Sequence, residues 1–170
     1  MGTVDVPQWL IEKGEKSLNN LLPRESETKF VDLALLSLIW PYDVVSPEIR
    51  DQILENVEYH LLRDRGVIRY KGDRFYNKNE DGLSEEAEWT LGLAWLAIIY
   101  GKLKNKEKAG ELIKDLIAAD TPEGLPELYF SNSPEYNEHT PLGWSESLFI
   151  VALYEMERMI DPQRAENPTS

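Results

Sequence analysis

The sequence predicts an all-α fold of about six helices, arranged as part of a double-layered α/α ring. Apolar residues recur with helical periodicity in six segments, and no segment shows the alternation typical of a convincing strand. Amphipathic segments alternate along the chain with segments that are apolar on almost every side. A helix that is apolar on every face must be buried on every face, so the alternation indicates inner helices wrapped by outer ones.

The first, third and fifth helices are the predicted outer helices, and each carries a one-sided apolar face. They cover residues 7–21, 47–63 and 106–119. The third has a strong start signal, because Ser46 is suited to the N-cap and Pro47 to the first helical position. The predicted inward face of the fifth consists of Ala109, Leu112, Ile113, Leu116 and Ile117.

The second, fourth and sixth helices are the predicted inner helices, covering residues 29–40, 85–103 and 145–160. Ser84 is the expected N-cap of the fourth, and Glu85, Glu86 and Glu88 complement the positive end of its dipole. Trp95, within its apolar run, is assigned to the core. Residues 1–160 are interpreted as one domain and residues 161–170 as a flexible tail.

Composition excludes several classes of function. The chain carries 31 acidic against 18 basic residues, a net charge of −13, which argues against nucleic acids and anionic membrane surfaces as partners. It contains no cysteine and only two histidines, His60 and His139, so no metal site or other cofactor is expected. The N-terminus does not resemble a signal peptide and no apolar run is long enough to span a bilayer, so a cytoplasmic location is the default expectation.

Two long loops are the most informative features for function. They cover residues 64–84 and 120–144, and both connect an outer helix to an inner one, whereas inner-to-outer connections are short. Loops of this length inside a domain are usually functional. Because helices that run alternately up and down place all outer-to-inner connections at one rim, both loops are expected to meet at the same opening.

Five loop residues are candidates for a site that binds a polar, ring-shaped ligand. Glu127 has apolar or aromatic neighbours on both sides and is suited to act as a general base, although an exposed or capping glutamate is the alternative. Arg69 and Asp73 are spaced to bind sugar hydroxyls, or else to form a salt bridge within the loop. Trp89 and Trp144 each open an inner helix, where the ring either stacks on a sugar or packs in the core.

Four segments occur in the order RYKGDRFYN, EWTLGLAWLAIIYGKL, TPEGLPELYFS and TPLGWSESLFIVAL. In this order they resemble glycoside hydrolase family 15, which includes the glucoamylases and glucodextranases and itself resembles the α-subunit of phosphorylase kinase. The resemblance implies an (α/α)6 toroid and inverting hydrolysis of α-linked glucosides. It implies that Glu127 is the general base and that Arg69, Asp73, Trp89 and Trp144 bind the sugar. One position departs, because Leu128 follows Glu127 where the family usually has glutamine.

A second departure is length, since the family's ring needs about twelve helices and this chain resembles its second half. Inverting hydrolysis needs an acid as well as a base, and the family's acid lies in the other half. The leading hypothesis is therefore a partial glucoamylase-like domain that binds an α-glucoside or oligosaccharide and forms a homodimer or associates with a missing N-terminal half. The alternatives are a non-catalytic sugar-binding or regulatory module, as in phosphorylase kinase-like proteins, and a helical scaffold for protein partners.

Overall fold

The computed structural model describes residues 5–76 and 86–161, and over these residues it confirms the predicted all-α fold. Six helices are α1 (Gln8–Leu21), α2 (Leu36–Ile39), α3 (Pro47–Leu61), α4 (Thr90–Lys102), α5 (Lys106–Ala118) and α6 (Gly143–Ile160). A 3-10 turn (Leu33–Leu35) leads into α2. Two short strands, β1 (Glu88–Trp89) and β2 (Leu128–Tyr129), pair antiparallel.

Helix α4 is the centre of the fold. Its residues from Thr90 to Ile99 are all buried, as the apolar sequence predicts, and it packs against both α5 and α6. Trp95 is buried there, and its indole Nε1 donates a hydrogen bond to the carbonyl of Trp40 at 2.8 Å. Burial of each fully buried aliphatic side chain of this helix contributes about 1.5–3 kcal/mol to the free energy of folding. Helix α4 is therefore a major source of core stability.

Helices α3 and α5 are amphipathic, as predicted, and their apolar faces form part of the core. The Ser46 hydroxyl accepts a hydrogen bond from the N–H of Ile49 at 3.4 Å, so the predicted N-cap of α3 is confirmed. The prediction for α5 is wrong at one position: Ile117 is exposed, because it lies on the outer side of the helix. Its four other predicted inward residues are buried.

The second helix is shorter than predicted. Residues 29–40 are a continuous apolar pattern, yet the chain is not helical before the 3-10 turn at Leu33. The physical reason is that competing partners take the backbone donors: the Leu33 N–H bonds to the carbonyl of Arg69 at 2.8 Å, and Asp32 caps the Ala34 N–H at 2.9 Å. The predicted burial on all sides is also wrong, because Phe30 and Ala34 are exposed while Val31, Leu33, Leu35 and Leu36 are buried.

The predicted burial of the sixth helix on all sides is wrong. Its buried residues are Ser145, Leu148 and Ala152, whereas Ile150, Leu153 and Tyr154 are exposed on the opposite side. Helix α1 has the predicted bounds to within one residue, but none of its residues is buried and Trp9 is 62% exposed. Both helices therefore present apolar surface without an intramolecular partner among the described residues.

The fourth helix begins later than predicted, at Thr90, because Glu88 and Trp89 form strand β1. Trp89 pairs with Leu128 and Glu88 with Tyr129, an arrangement too short to be visible as periodicity. The predicted cap Ser84 and Glu85 lie outside the described residues, as do residues 162–170 of the predicted tail. In the described part of the chain, no helix has both the length and the apolar character needed to cross a membrane.

Candidate functional site

The two long loops and the start of α4 meet in a ladder of backbone hydrogen bonds. Val67 and Trp89 exchange two N–H to C=O bonds of 3.0 Å each, and the N–H of Thr90 donates to the carbonyl of Glu127 at 3.3 Å. Three segments that are distant in sequence thus become neighbours through main-chain groups. The ladder thus joins the loop that carries Arg69 to the loop that carries Glu127.

A cavity of about 380 Å³ opens beside this ladder. Four of the five predicted site residues line it, namely Arg69, Trp89, Glu127 and Trp144. The rest of its wall is mainly apolar and consists of Leu33, Ala34, Ser37, Leu91, Trp95 and Leu142, with Asp32 as a second carboxylate. The volume and the few convergent polar groups are those of a small-ligand site.

Asp73, the fifth predicted residue, does not line the cavity and instead holds Arg69. Its carboxylate accepts from Arg69 Nε at 2.5 Å and from Nη2 at 2.9 Å, a two-point contact, and also from the N–H of Phe75 at 3.1 Å. The predicted alternative of a salt bridge within the loop is therefore present. The Arg69 side chain is still 34% exposed in this salt bridge. It can therefore border the cavity while it is bound to Asp73.

The electrostatics of this pair follow from its geometry. Burial would raise the pKa of Asp73, but hydrogen bonds from the Arg69 guanidinium and the Phe75 N–H outweigh it, so this pKa lies below its usual value. The hydrogen bond to Asp73 raises the pKa of Arg69. The guanidinium carbon lies 4.6 Å from the ring centre of Trp89 and 4.9 Å from that of Phe75, so stacking also restrains it.

The tryptophans of the cavity differ in exposure. Trp144 is 56% exposed and its ring centre lies 6.1 Å from that of Trp95, so it offers a free aromatic face at the opening. Trp89 is buried, and its indole Nε1 has no hydrogen-bond partner among the described residues. Core packing, the alternative for both tryptophans in the sequence, thus describes Trp89 but not Trp144.

Glu127 is held on one side only. Its oxygen Oε2 accepts a hydrogen bond from Asn137 Nδ2 at 2.7 Å, and its backbone N–H donates to the carbonyl of His139 at 3.0 Å. Within the described chain no donor is bonded to the second oxygen, Oε1. A half-buried carboxylate that lines a cavity with one open oxygen is suited to accept a hydrogen bond from a hydroxyl group or water.

Buried hydroxyls fix the peptide segment that leads into Glu127. Thr90 Oγ1 donates to the carbonyl of Pro126 at 2.5 Å and lies 2.8 Å from Ser145 Oγ, with all three groups fully or nearly buried. These bonds connect the first turns of α4 and α6 to the second loop. The loop that carries Glu127 is therefore attached to two helices, which limits its movement.

Other charged residues near the opening have structural partners. Glu88 accepts from the N–H groups of Arg65 and Asn132, and Glu86 accepts from the N–H of Gly72. Asp32, which the sequence reasoning missed, lines the cavity but already accepts from Lys29 Nζ at 2.8 Å and from Ala34 N–H. No group of three or more His, Asp or Glu side chains in the described ranges is arranged to hold a metal ion.

Sequence reasoning also missed Asn137. It predicted Glu127 from its local neighbours, but nothing local to Asn137 distinguishes it from the other polar residues of the loop. Its contact with Glu127 spans ten residues and depends on the fold of the whole loop. A signal for it exists only in the structure.

Comparison with known proteins gives two similar sequences. No family model matches the chain. It is 30% identical over 181 aligned residues to a probable phosphorylase b kinase regulatory subunit alpha of Caenorhabditis elegans, an alignment covering 85% of this chain. It is 23% identical over 175 aligned residues to an uncharacterized glycosyl hydrolase of Methanocaldococcus jannaschii, covering 93% of this chain. The chain spans 15% and 27% of the lengths of these two relatives.

Proposed function

We propose that this chain forms the sugar-binding, base-bearing part of a carbohydrate-active α/α domain of the glucoamylase-like type. The observation that carries the proposal is the single cavity on which Arg69, Glu127 and Trp144 meet from separate segments of the chain. Trp144 provides an aromatic face, Arg69 provides directed donors and Glu127 provides an acceptor. Stacking surface combined with fixed polar groups is what a pyranose ring requires.

A neutral ligand fits the charge of the site better than an anionic one. The positive charge of Arg69 is compensated by Asp73, and the negative charge of Asp32 by Lys29, so the carboxylate of Glu127 is the charge of the described cavity wall that has no ion-pair partner. The chain as a whole carries a net charge of −13. Phosphorylated or carboxylated sugars would therefore meet repulsion, whereas a neutral α-glucoside would not.

In this proposal Glu127 accepts a proton from a water molecule, and an acid on the other side of the glycosidic bond protonates the leaving oxygen. The second carboxylate of the described cavity wall, Asp32, is already bonded to Lys29 and to the backbone. It is therefore poorly placed to serve as that acid. We expect the chain to bind α-glucosides and to hydrolyse them only when another polypeptide segment supplies the acid.

The exposed apolar surfaces support an association of this kind. Helix α6 leaves Ile150, Leu153 and Tyr154 exposed, and α1 leaves Trp9 and Leu10 exposed. In a complete (α/α)6 toroid such inner and outer helices would have neighbours on both sides. A second copy of the chain or a complementary half-ring would cover these surfaces.

The two relatives support a carbohydrate-related role at different levels. Likeness to a protein named as a glycosyl hydrolase favours hydrolysis, although the identity is only 23%. Likeness to a phosphorylase kinase regulatory subunit, at 30% identity, favours the second candidate function, a non-catalytic sugar-binding or regulatory module. Asp32 is already bonded to Lys29 and is therefore poorly placed to act as the acid, which is also compatible with a non-catalytic module.

Titration calorimetry with maltotriose tests the proposal on the 170-residue chain. We expect binding, and we expect Trp144→Ala to weaken it about 3- to 10-fold, the equivalent of one aromatic contact. Trp9→Ala is the matched control, because Trp9 is similarly exposed but lies on α1, outside the cavity lining. Absence of binding at millimolar maltotriose, or equal losses in both variants, would refute the sugar site.

Turnover separates the two candidate functions. A glucoamylase-like part should release glucose from maltotriose once a complementary segment is added, and Glu127→Gln should abolish that release. A regulatory module should bind the sugar with the same affinity in the presence or absence of any second polypeptide and release no glucose.

A further inference from the structure

We infer that Asn137 is a positioning residue for Glu127, holding one carboxylate oxygen so that the other is presented to the ligand. The inference rests on the proposed function, because it assigns a role within the same cavity. Asn137 Nδ2 lies 2.7 Å from Glu127 Oε2. Oε1 is left as the oxygen that a sugar hydroxyl, a water molecule or a cationic ligand can contact.

Asn137 is well suited to this role because it is itself immobile. The residue is 3% exposed, its N–H donates to the carbonyl of Leu128 at 3.3 Å, and its carbonyl accepts from Thr140 Oγ1 at 3.0 Å. The bridge between Tyr129 and Tyr136 pairs the same two stretches of loop. The amide therefore approaches Glu127 from a fixed backbone, which restricts the rotamers of the carboxylate.

The second observation concerns the side-chain oxygen of Asn137, Oδ1. Asn137 Oδ1 is buried and has no hydrogen-bond partner among the described residues. A carboxylate accepts hydrogen bonds, so Nδ2 must face Glu127, and this orientation leaves Oδ1 unsatisfied. A leucine would fill a similar volume without that penalty, and buried unsatisfied polar groups of this kind call for an explanation beyond packing. Control of the Glu127 carboxylate provides it.

The test compares two ligands that depend differently on Glu127. A glucose-configured iminosugar is protonated at its ring nitrogen and gains attraction from a well-placed carboxylate, whereas maltotriose is neutral and depends more on stacking. Calorimetry on the full chain should show Asn137→Leu weakening the iminosugar about 10-fold and maltotriose less than about 2-fold. Ser133→Ala is the matched control, because it removes a hydrogen bond of the same loop, from the N–H of Glu135 to Ser133 Oγ, and involves neither Asn137 nor Glu127.

A double-mutant cycle distinguishes positioning from a general effect on structure. If Asn137 acts through Glu127, the variant carrying both Asn137→Leu and Glu127→Gln should bind the iminosugar no more weakly than Glu127→Gln alone. Additive losses would overturn the inference. Equal weakening of both ligands by Asn137→Leu, matched by Ser133→Ala, would also overturn it, because this is the result of a structural role.

The outcomes separate this inference from the proposed function. If the wild-type chain binds neither ligand, the sugar site itself is refuted and the role of Asn137 falls with it. If the wild-type chain binds both ligands and Asn137→Leu leaves both affinities unchanged, only the role of Asn137 is refuted. Should Asn137→Leu fail to fold, Asn137→Ser, whose hydroxyl is too short to reach Oε2, carries the same expectation.

Discussion

Replacing Asp73 with asparagine is expected to destabilise the chain and to release Arg69. In the native site Oδ1 accepts from Arg69 Nη2 and from the Phe75 N–H, while Oδ2 accepts from Arg69 Nε. Asparagine keeps an acceptor in place of Oδ1 but turns an N–H toward Nε, so one charge-assisted bond becomes a contact between two donors. The variant also leaves the guanidinium without its counter-charge.

The expected loss follows from burial. Removing one partner of a fully buried pair costs about 3–5 kcal/mol, and a hydrogen bond to a charged group contributes about 1.5–3 kcal/mol. Asp73 is 3% exposed but the Arg69 side chain is 34% exposed, so water can partly replace the lost contact. We therefore expect a loss of about 2 kcal/mol, equivalent to a decrease of roughly 4–8 °C in Tm for a chain of this size.

Urea unfolding followed by tryptophan fluorescence measures this loss, with Asp51→Asn as the control. Asp51 forms an ion pair with Arg50 at 2.7 Å, but its side chain is 65% exposed, so its replacement should cost less than about 1 kcal/mol. Similar midpoints for wild type and Asp73→Asn would refute the reasoning, as would equal losses in the two variants.

The pH dependence of the same experiment provides a second check. The pKa of Asp73 lies below its ordinary value of 3.8, so its stabilising contribution is present above that value and is lost as pH falls through the lower folded-state pKa. The difference in unfolding free energy between wild type and Asp73→Asn should therefore be constant from pH 5 to pH 7. It should shrink as pH falls below about 4.

Three further predictions concern the framework of the site. Gly66→Ala should destabilise the chain by about 1–3 kcal/mol, because a Cβ there would lie 2.5 Å from the backbone of strand β1. Gly14→Ala should instead stabilise it by about 0.5–1 kcal/mol, because a Cβ at Gly14 would have nothing within 4 Å. Thermal unfolding measures both changes. Thr90→Val should cost about 1–3 kcal/mol in urea unfolding, since its buried hydroxyl binds two partners, and an unchanged midpoint would contradict this. Burial and a hydrogen bond to Glu58 raise the pKa of Tyr100, so native stability should fall as pH rises above about 10, and Tyr100→Phe should flatten this dependence in Tm measurements.

Sequence patterns predicted the helices best where local signals and burial agree. The start of α3 is marked by Ser46 and Pro47, and the structure places the cap and the first helical residue at those positions. The apolar run of α4 contains too few polar residues for any exposed position, and its burial was predictable. In both cases the local preference and the tertiary environment favour the same conformation.

The errors occurred where the environment decides the conformation. Residues 29–40 have the apolar pattern of a helix, but near its start the Arg69 carbonyl and the Asp32 side chain bind the backbone donors that a helix would use. The exposed side of α6 has an apolar sequence that predicts burial, and the described chain provides no covering element. The periodicity of apolar residues indicates the conformation that a segment prefers locally, but it does not show which other parts of the chain pack against that segment or bind its backbone.

The sequence predicted that the two long loops lie close together but not the contacts between their side chains. The alternation of helices indicated that both loops share one rim, and Arg69 and Glu127 do line one cavity. Because Leu128 follows Glu127 where the resembling family usually has glutamine, the sequence suggested that Glu127 lacks an amide partner. In the structure the amide of Asn137 donates a hydrogen bond to Glu127, through a contact that depends on how the whole loop folds.

The ladder formed by Val67, Trp89 and the carbonyl of Glu127 has a consequence for how such a site can change during evolution. Its bonds join main-chain atoms, so most side-chain substitutions along it leave the registration of the three segments intact. Residues farther out on either loop are then free to vary in length and chemistry and to reshape the outer wall of the cavity. Substitutions in these outer parts should change the shape of the cavity wall while the main-chain pairing that joins the two loops is retained.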